Sequence, residues 1–161
     1  MKQYPIILLL FLLMLSCKEE NKSRPEAEIK KEIAGVFDAY VNQLNTQGLK
    51  GIDSYFSKDD RFYWVEDGLL QYPDRAALLE GIEAFYPSVR SVHMTVSGIN
   101  IHVIDDNTAT LFSLYKQDFV LNTGYSFHLE GAFTILLTPE DDSWKFLIGH
   151  SSVKKPRDTD Q

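Results

Sequence analysis

The 161-residue chain has one cysteine, Cys17, so it can form no internal disulfide and no thiolate cage for a metal. It also lacks a basic run. Sixteen Lys and Arg are scattered among 23 Asp and Glu, for a net charge of −7. Nucleic-acid binding, which needs clustered cations facing phosphates, is therefore not expected. Nine glycines and six prolines are too few for a fibre, and 44% hydrophobic residues are too many for a disordered chain. The longest apolar run, Ile6–Leu15, would make a helix of only ~15 Å against a bilayer core of ~30 Å. There is no glycine-rich phosphate loop, no His-x-His or Glu-x-x-His pair, and no serine in a nucleophile elbow. The residues thus predict neither a metal nor a cofactor. At this length they predict one ordinary domain.

What is present begins with an address. Met1-Lys2, the run Ile6–Leu15 and the small Ser16 have the layout of a secretory signal over residues 1–16. Met14-Leu15-Ser16-Cys17 resembles the lipobox of bacterial lipoproteins, with Met where Leu is usual. The resemblance implies that Cys17 becomes the lipidated first residue of the mature chain and attaches it to the outer membrane of the cell envelope. Lys18-Glu19-Glu20 is similar to the surface-export signal that Bacteroidota place behind that cysteine; read without the resemblance, it is a polar tether. Residues 17–27 form the tether, and the mature charge is 15 basic against 23 acidic residues, a net of −8, because only Lys2 is removed.

From Glu28 the apolar residues Ile29, Ile33, Val36, Phe37, Tyr40 and Leu44 recur at helical spacing until Gly48. A short second helix is predicted over Leu49, Ile52, Tyr55 and Phe56. Next comes a small hairpin, Arg61–Glu66 and Leu69–Tyr72, turning at Asp67-Gly68, and then a third helix from Pro73-Asp74 to Pro87. The period then changes to two. Strands are predicted at Ser91–Ile104, Thr108–Leu121, Tyr125–Thr138 and Ser143–Val153, and residues 154–161 form a disordered tail. This is an α+β layout. The element order, the phrase Leu129–Leu137 and the stretch Trp144–Ser151 resemble the nuclear-transport-factor-2-like superfamily, in its SnoaL-like branch, over residues 28–153. That resemblance implies a cone-shaped, curved antiparallel sheet wrapped around three N-terminal helices, with a pocket between sheet and helices.

On that layout Tyr40, Trp64, Tyr86, Phe112, Phe133 and His150 are the candidate lining of a pocket for a small apolar ligand, although aromatics also fill cores. Alternation puts Trp144, Phe146, Ile148 and His150 on one strand face. His150 and His93, with Glu130 and Tyr40, are the candidate acid–base set, since imidazole titrates near neutrality. Dehydratases and cyclases of the resembled superfamily use His and Asp in such a pocket. Ketosteroid isomerase, another relative, has a helix-one tyrosine as oxyanion donor, and Tyr40 matches it by spacing. The isomerase's base would fall near Trp64 or Val65, with Glu66 and Asp67 displaced into the turn, and its second donor near Thr134. One position of three is kept, so steroid isomerisation is not implied. Binding without catalysis is the reading favoured here, and a lyase, isomerase or hydrolase is the alternative. Tyr40 needs a partner for its hydroxyl, and a structural one is expected. Relatives often dimerise through the open face of the sheet, where Leu111 and Tyr115 beside Lys116 and Gln117 are the expected outward residues of a homodimer patch.

Cys17→Ser should release the protein from membranes, because an apolar run this short cannot hold it alone. A mutant that still sediments with membranes would contradict the lipid anchor.

Overall fold

A computed structural model describes residues 23–155; the leader, Cys17 and most of the tether and tail lie outside this range. Helix α1 spans Glu26–Gln47, two residues earlier than the apolar stripe suggests, because Pro25 stands at its N-cap, and Glu26 and Glu28 occupy its positively polarised first turn. Gly48, at φ 67°, ends it in a backbone conformation that side chains resist. The predicted second helix is a single 3-10 turn, Ile52–Tyr55. Gly51 in the left-handed conformation, at φ 79°, and the extended Phe56 stop it on both sides. Strands β1 (Tyr63–Glu66) and β2 (Leu69–Tyr72) form the small hairpin. Asp67 and Gly68, at φ 49° and 84°, make a turn whose twist suits a two-residue hairpin. Helix α2 (Arg75–Phe85) starts where the Asp74 side chain accepts from the Ala77 N–H at 2.8 Å. Four long strands follow: β3 (Val89–Asp105), β4 (Thr108–Leu121), β5 (Ser126–Glu140) and β6 (Ser143–Val153).

The six strands form one sheet in the order β2-β1-β6-β5-β4-β3. One pairing departs from the expected antiparallel sheet: β1 runs parallel to β6, Tyr63 opposite Ile148 and Glu66 opposite Ser151. The curled sheet holds α1 on its concave face, where Ile29, Ile33, Phe37 and Leu44 are fully buried. Removing these four side chains from water contributes about 8 kcal/mol, comparable to the net stability of a whole domain. Phe146 of β6 meets Tyr40 edge-on at 5.2 Å and Phe37 at 6.4 Å, so the last strand closes on the helix through rings. Asn45 fixes the far end of α1. Its amide donates to the Met94 carbonyl at 2.9 Å and accepts from the Met94 N–H at 2.6 Å, as a neighbouring strand would.

The two faces of the sheet have opposite characters. On β4, Ala109, Leu111, Ser113, Tyr115 and Phe119 are buried, and Phe112, Leu114, Lys116 and Asp118 are exposed. Leu111 and Tyr115 are therefore core residues, and Phe112 and Leu114 take the outward places. Parity on β6 is broken by a bulge: Leu136 pairs with Ile148 but Leu137 with Phe146, so Leu147 is the extra residue. Before the bulge Trp144 and Phe146 face inward. Beyond it Gly149 and Ser151 do, and His150 is turned outward. Gly149 is required here, because a Cβ at that position would overlap the indole of Trp64.

Candidate functional site

The sheet is too open to close on itself. Beside the C-terminal half of α1 the space between sheet and helix is roofed by α2, leaving a cavity of about 220 Å³. That is below the size of drug-sized sites, so its occupant is small. α1 supplies Tyr40, β1 Trp64 and Glu66, β2 Tyr72, and α2 Leu78, Gly81, Ile82 and Phe85. The sheet floor adds Met94, Gln117, Phe119, Phe133 and Ser151. Gly81 lets α2 approach: a Cβ there would stand 2.8 Å from the Tyr72 ring. Ser151 is already used, its Oγ accepting from Trp64 Nε1 at 3.2 Å, which orients the indole over Gly149.

Of the polar groups that line the cavity, Glu66 and Tyr40 are the ionisable ones whose carboxyl and hydroxyl make no hydrogen bond among the described residues and whose ionisation is shifted most by the site. Glu66, the last residue of β1, shares the inward face with Trp64 and stands at the mouth, partly exposed. Burial, and then the charge of Asp67, push its carboxyl above the ordinary range, and no cation or hydrogen-bond donor among the described residues counters them. The phenol of Tyr40 is raised strongly, first by burial and then by the charge of Glu66, and it has no hydrogen-bond partner among the described residues. The structural partner expected for that hydroxyl is thus absent. Tyr72 is raised by burial and then by Glu66, and Tyr115 by burial and then by Asp67 and Glu66. One carboxyl thus acts on three phenols in a half-dry space. Neither group is sealed from solvent, since Glu66 is exposed at the mouth and Tyr40 half-buried, and both are open to a ligand's polar atoms.

Of the residues singled out from sequence, Tyr40, Trp64 and Phe133 line this cavity. Phe112 does not; it is 40% exposed on the opposite face. Tyr86, 44% exposed, borders a separate hollow of about 250 Å³ with Leu49, Leu79 and Ile82. Strict alternation puts His150 on the inward face, and the Leu147 bulge reverses this, leaving it exposed. His93 lies outward between the buried Val92 and Met94. Glu130 alternates with the inward Gly131. It is held outside by Lys116 at 2.7 Å, which, with His128 and Lys154, lowers its carboxyl to about 2. Three members of the predicted acid–base set therefore cannot meet Tyr40. The missed residue is Glu66, and the signal for it was available: counting alternation back from the hairpin turn puts it on the same face as Trp64.

Among the described residues no group of three or more His, Cys, Asp or Glu could hold a metal ion. The SnoaL-like domain model matches residues 33–156. Solved structures similar to this chain include a proposed scytalone dehydratase from Novosphingobium aromaticivorans, at 15% identity and TM-score 0.72, covering 84% of this chain and 90% of that one. A nuclear transport factor 2-like superfamily protein from Salmonella enterica serovar Typhimurium aligns at 12% identity and TM-score 0.70, covering 85% and 99%. A hexachlorocyclohexane dehydrochlorinase (LinA) type 2 aligns at 11% identity and TM-score 0.65, covering 80% and 87%. No curated protein matches. At these identities the likeness concerns the fold, and site residues must be argued from this chain.

Glu66→Gln should raise the melting temperature at neutral pH. A carboxyl whose folded pKa lies above its unfolded value disfavours folding once ionised, so stability falls as pH rises through the folded value. The gain should vanish below the ordinary carboxyl range, where both states are protonated. Melting curves of both proteins at the two pH values check this; an equal shift at both would show that Glu66 matters only by packing.

Proposed function

The chain belongs to the SnoaL-like domain family, and from that premise we infer that its cone binds a small, largely apolar ligand oriented by Glu66 and Tyr40. The observation that carries this reading is the unpartnered carboxyl and phenol in one aromatic-lined cavity. The protein would present this site from the cell envelope, tethered through lipidated Cys17. The support for that part is the sequence around Cys17; the described residues contain no helix long and apolar enough to cross a membrane. The tether enters at Ser23, whose hydroxyl donates to Asp106 at 2.8 Å, at the β3–β4 turn. From there α1 runs roughly 20 Å to Tyr40, so the cavity lies at the end of the domain away from the tether.

An acid–base reading has one observation in its favour. A carboxyl raised by burial beside a free phenol is a workable base and hydrogen-bond donor for proton abstraction next to a carbonyl. Glu66 and Tyr40, not the outward histidines, would carry it. The dehydratase and dehydrochlorinase names of two structural neighbours are in line with a cavity of this shape hosting eliminations.

The outer face invites a second copy of the chain. Phe112 and Leu114, 40% and 47% exposed, stand opposite Thr134 and Ala132 with no charge between them. A homodimer across this patch should dissociate on Phe112→Lys. A monomer mass for the unmutated protein by light scattering at high concentration would contradict it.

For the cavity itself, native mass spectrometry of the purified protein should show added mass that is lost on denaturation. Tyr40→Phe should weaken retention while changing stability by less than about 0.5 kcal/mol, because the hydroxyl it removes has no partner in the protein. A stability loss of 1 kcal/mol or more with unchanged retention would assign Tyr40 to the core alone.

A further inference from the structure

The cavity is chemically one-sided. Seven of its lining side chains are aromatic, Tyr40, Phe56, Trp64, Tyr72, Phe85, Phe119 and Phe133, its one ionisable carboxylate is Glu66, and no Lys, Arg or His borders it. An anionic ligand would meet a carboxylate and the negative faces of several rings with no compensating cation. A neutral apolar ligand would use the aromatic walls and leave the carboxylate at the mouth without a role. A cation carrying methyl or methylene groups satisfies both features, because ring faces attract it through their quadrupoles and the carboxylate through its charge.

We propose that the ligand is a small organic ammonium, held with its charged nitrogen between Glu66 and the Trp64–Tyr72 pair. The proposal rests on the cavity being a ligand site and names the class of ligand. The placement follows from register: Trp64 is two residues from Glu66 on the same face, and Tyr72 is the cross-strand partner of Trp64. Neighbours of that kind lie about 5–8 Å apart, the span of one ammonium group with its methyls. The indole is already oriented by its bond to Ser151 Oγ, so its face is set before the ligand arrives. Tyr40 approaches from α1 on the other side, and its unpartnered hydroxyl can take a polar substituent on the ligand. The acidic surface of the protein, 23 acidic against 16 basic residues, draws cations toward the mouth.

The test compares choline with its neutral isostere 3,3-dimethylbutan-1-ol by calorimetry on the purified protein, with indole as a neutral aromatic probe of the cavity. Choline should bind at least about tenfold tighter than the isostere. E66Q, checked for folding by its melting curve, should erase that preference. Equal or tighter binding of the isostere, or a preference that survives in E66Q, overturns the ammonium assignment. If choline fails to bind while indole binds, the assignment falls and the cavity reading stands. If all three fail to bind, both fall. Should E66Q not fold, the affinity ratio in the unmutated protein decides.

Discussion

Everything in this molecule depends on burying one amphipathic helix in the hollow of a sheet that does not close. The stripe Ile29, Ile33, Phe37 and Leu44 has no other partner, and the concave face of β3 to β6 supplies one. Phe146 and Asn45 fix the helix at two points, one through ring packing and one through the pair of hydrogen bonds between the Asn45 side-chain amide and the Met94 backbone. Because the sheet is open, its curl covers α1 only in part. The uncovered wedge is roofed by α2, a short helix with only Leu78 fully buried. The cavity is a consequence of that arrangement. Its walls are core residues seen from one side, which is why they are aromatic.

Much of this was legible in the sequence. Helical spacing over Ile29–Leu44, the change of period after Pro87 and the three polar turns between the long strands led to the α+β cone. Two physical features were not legible. The first is the bulge at Leu147, where two consecutive apolar residues, Phe146 and Leu147, are both buried. A period-two pattern contains no mark for an inserted residue, so strict counting carried His150 to the wrong face. The second is the parallel pairing of β1 with β6. It is a long-range contact with no local signature; alternation puts Glu66 on the face of Trp64, and this pairing sets that face level with Gly149 and Ser151. On β4 the error was of another kind. Leu111 and Phe112 are both apolar, and only the position of α1 decides which of two adjacent large residues is inside.

The distribution of charge follows the same division. Ionisable groups on the outer face satisfy one another: Glu130 serves Lys116, His128 and Lys154, and Asp118 serves His128. Exposed pairs of this sort add little stability, and they occupy Glu130, the outward carboxylate of the expected acid–base set. At the cavity mouth Glu66 has no cation among the lining residues, and its charged neighbour is Asp67. Partial burial and Asp67 raise this carboxyl, so its ionisation disfavours folding slightly at neutral pH, and a cation at the mouth would offset that.

The claim that the wedge under α2 is a ligand site is tested most directly by methyl NMR during titration with a small aromatic compound such as benzyl alcohol or benzylamine. Saturable shifts should appear at Leu78, Ile82 and Met94, which line the cavity, while the outward Leu114 stays fixed. Shifts centred on Leu114, with the cavity methyls unmoved, would contradict the account.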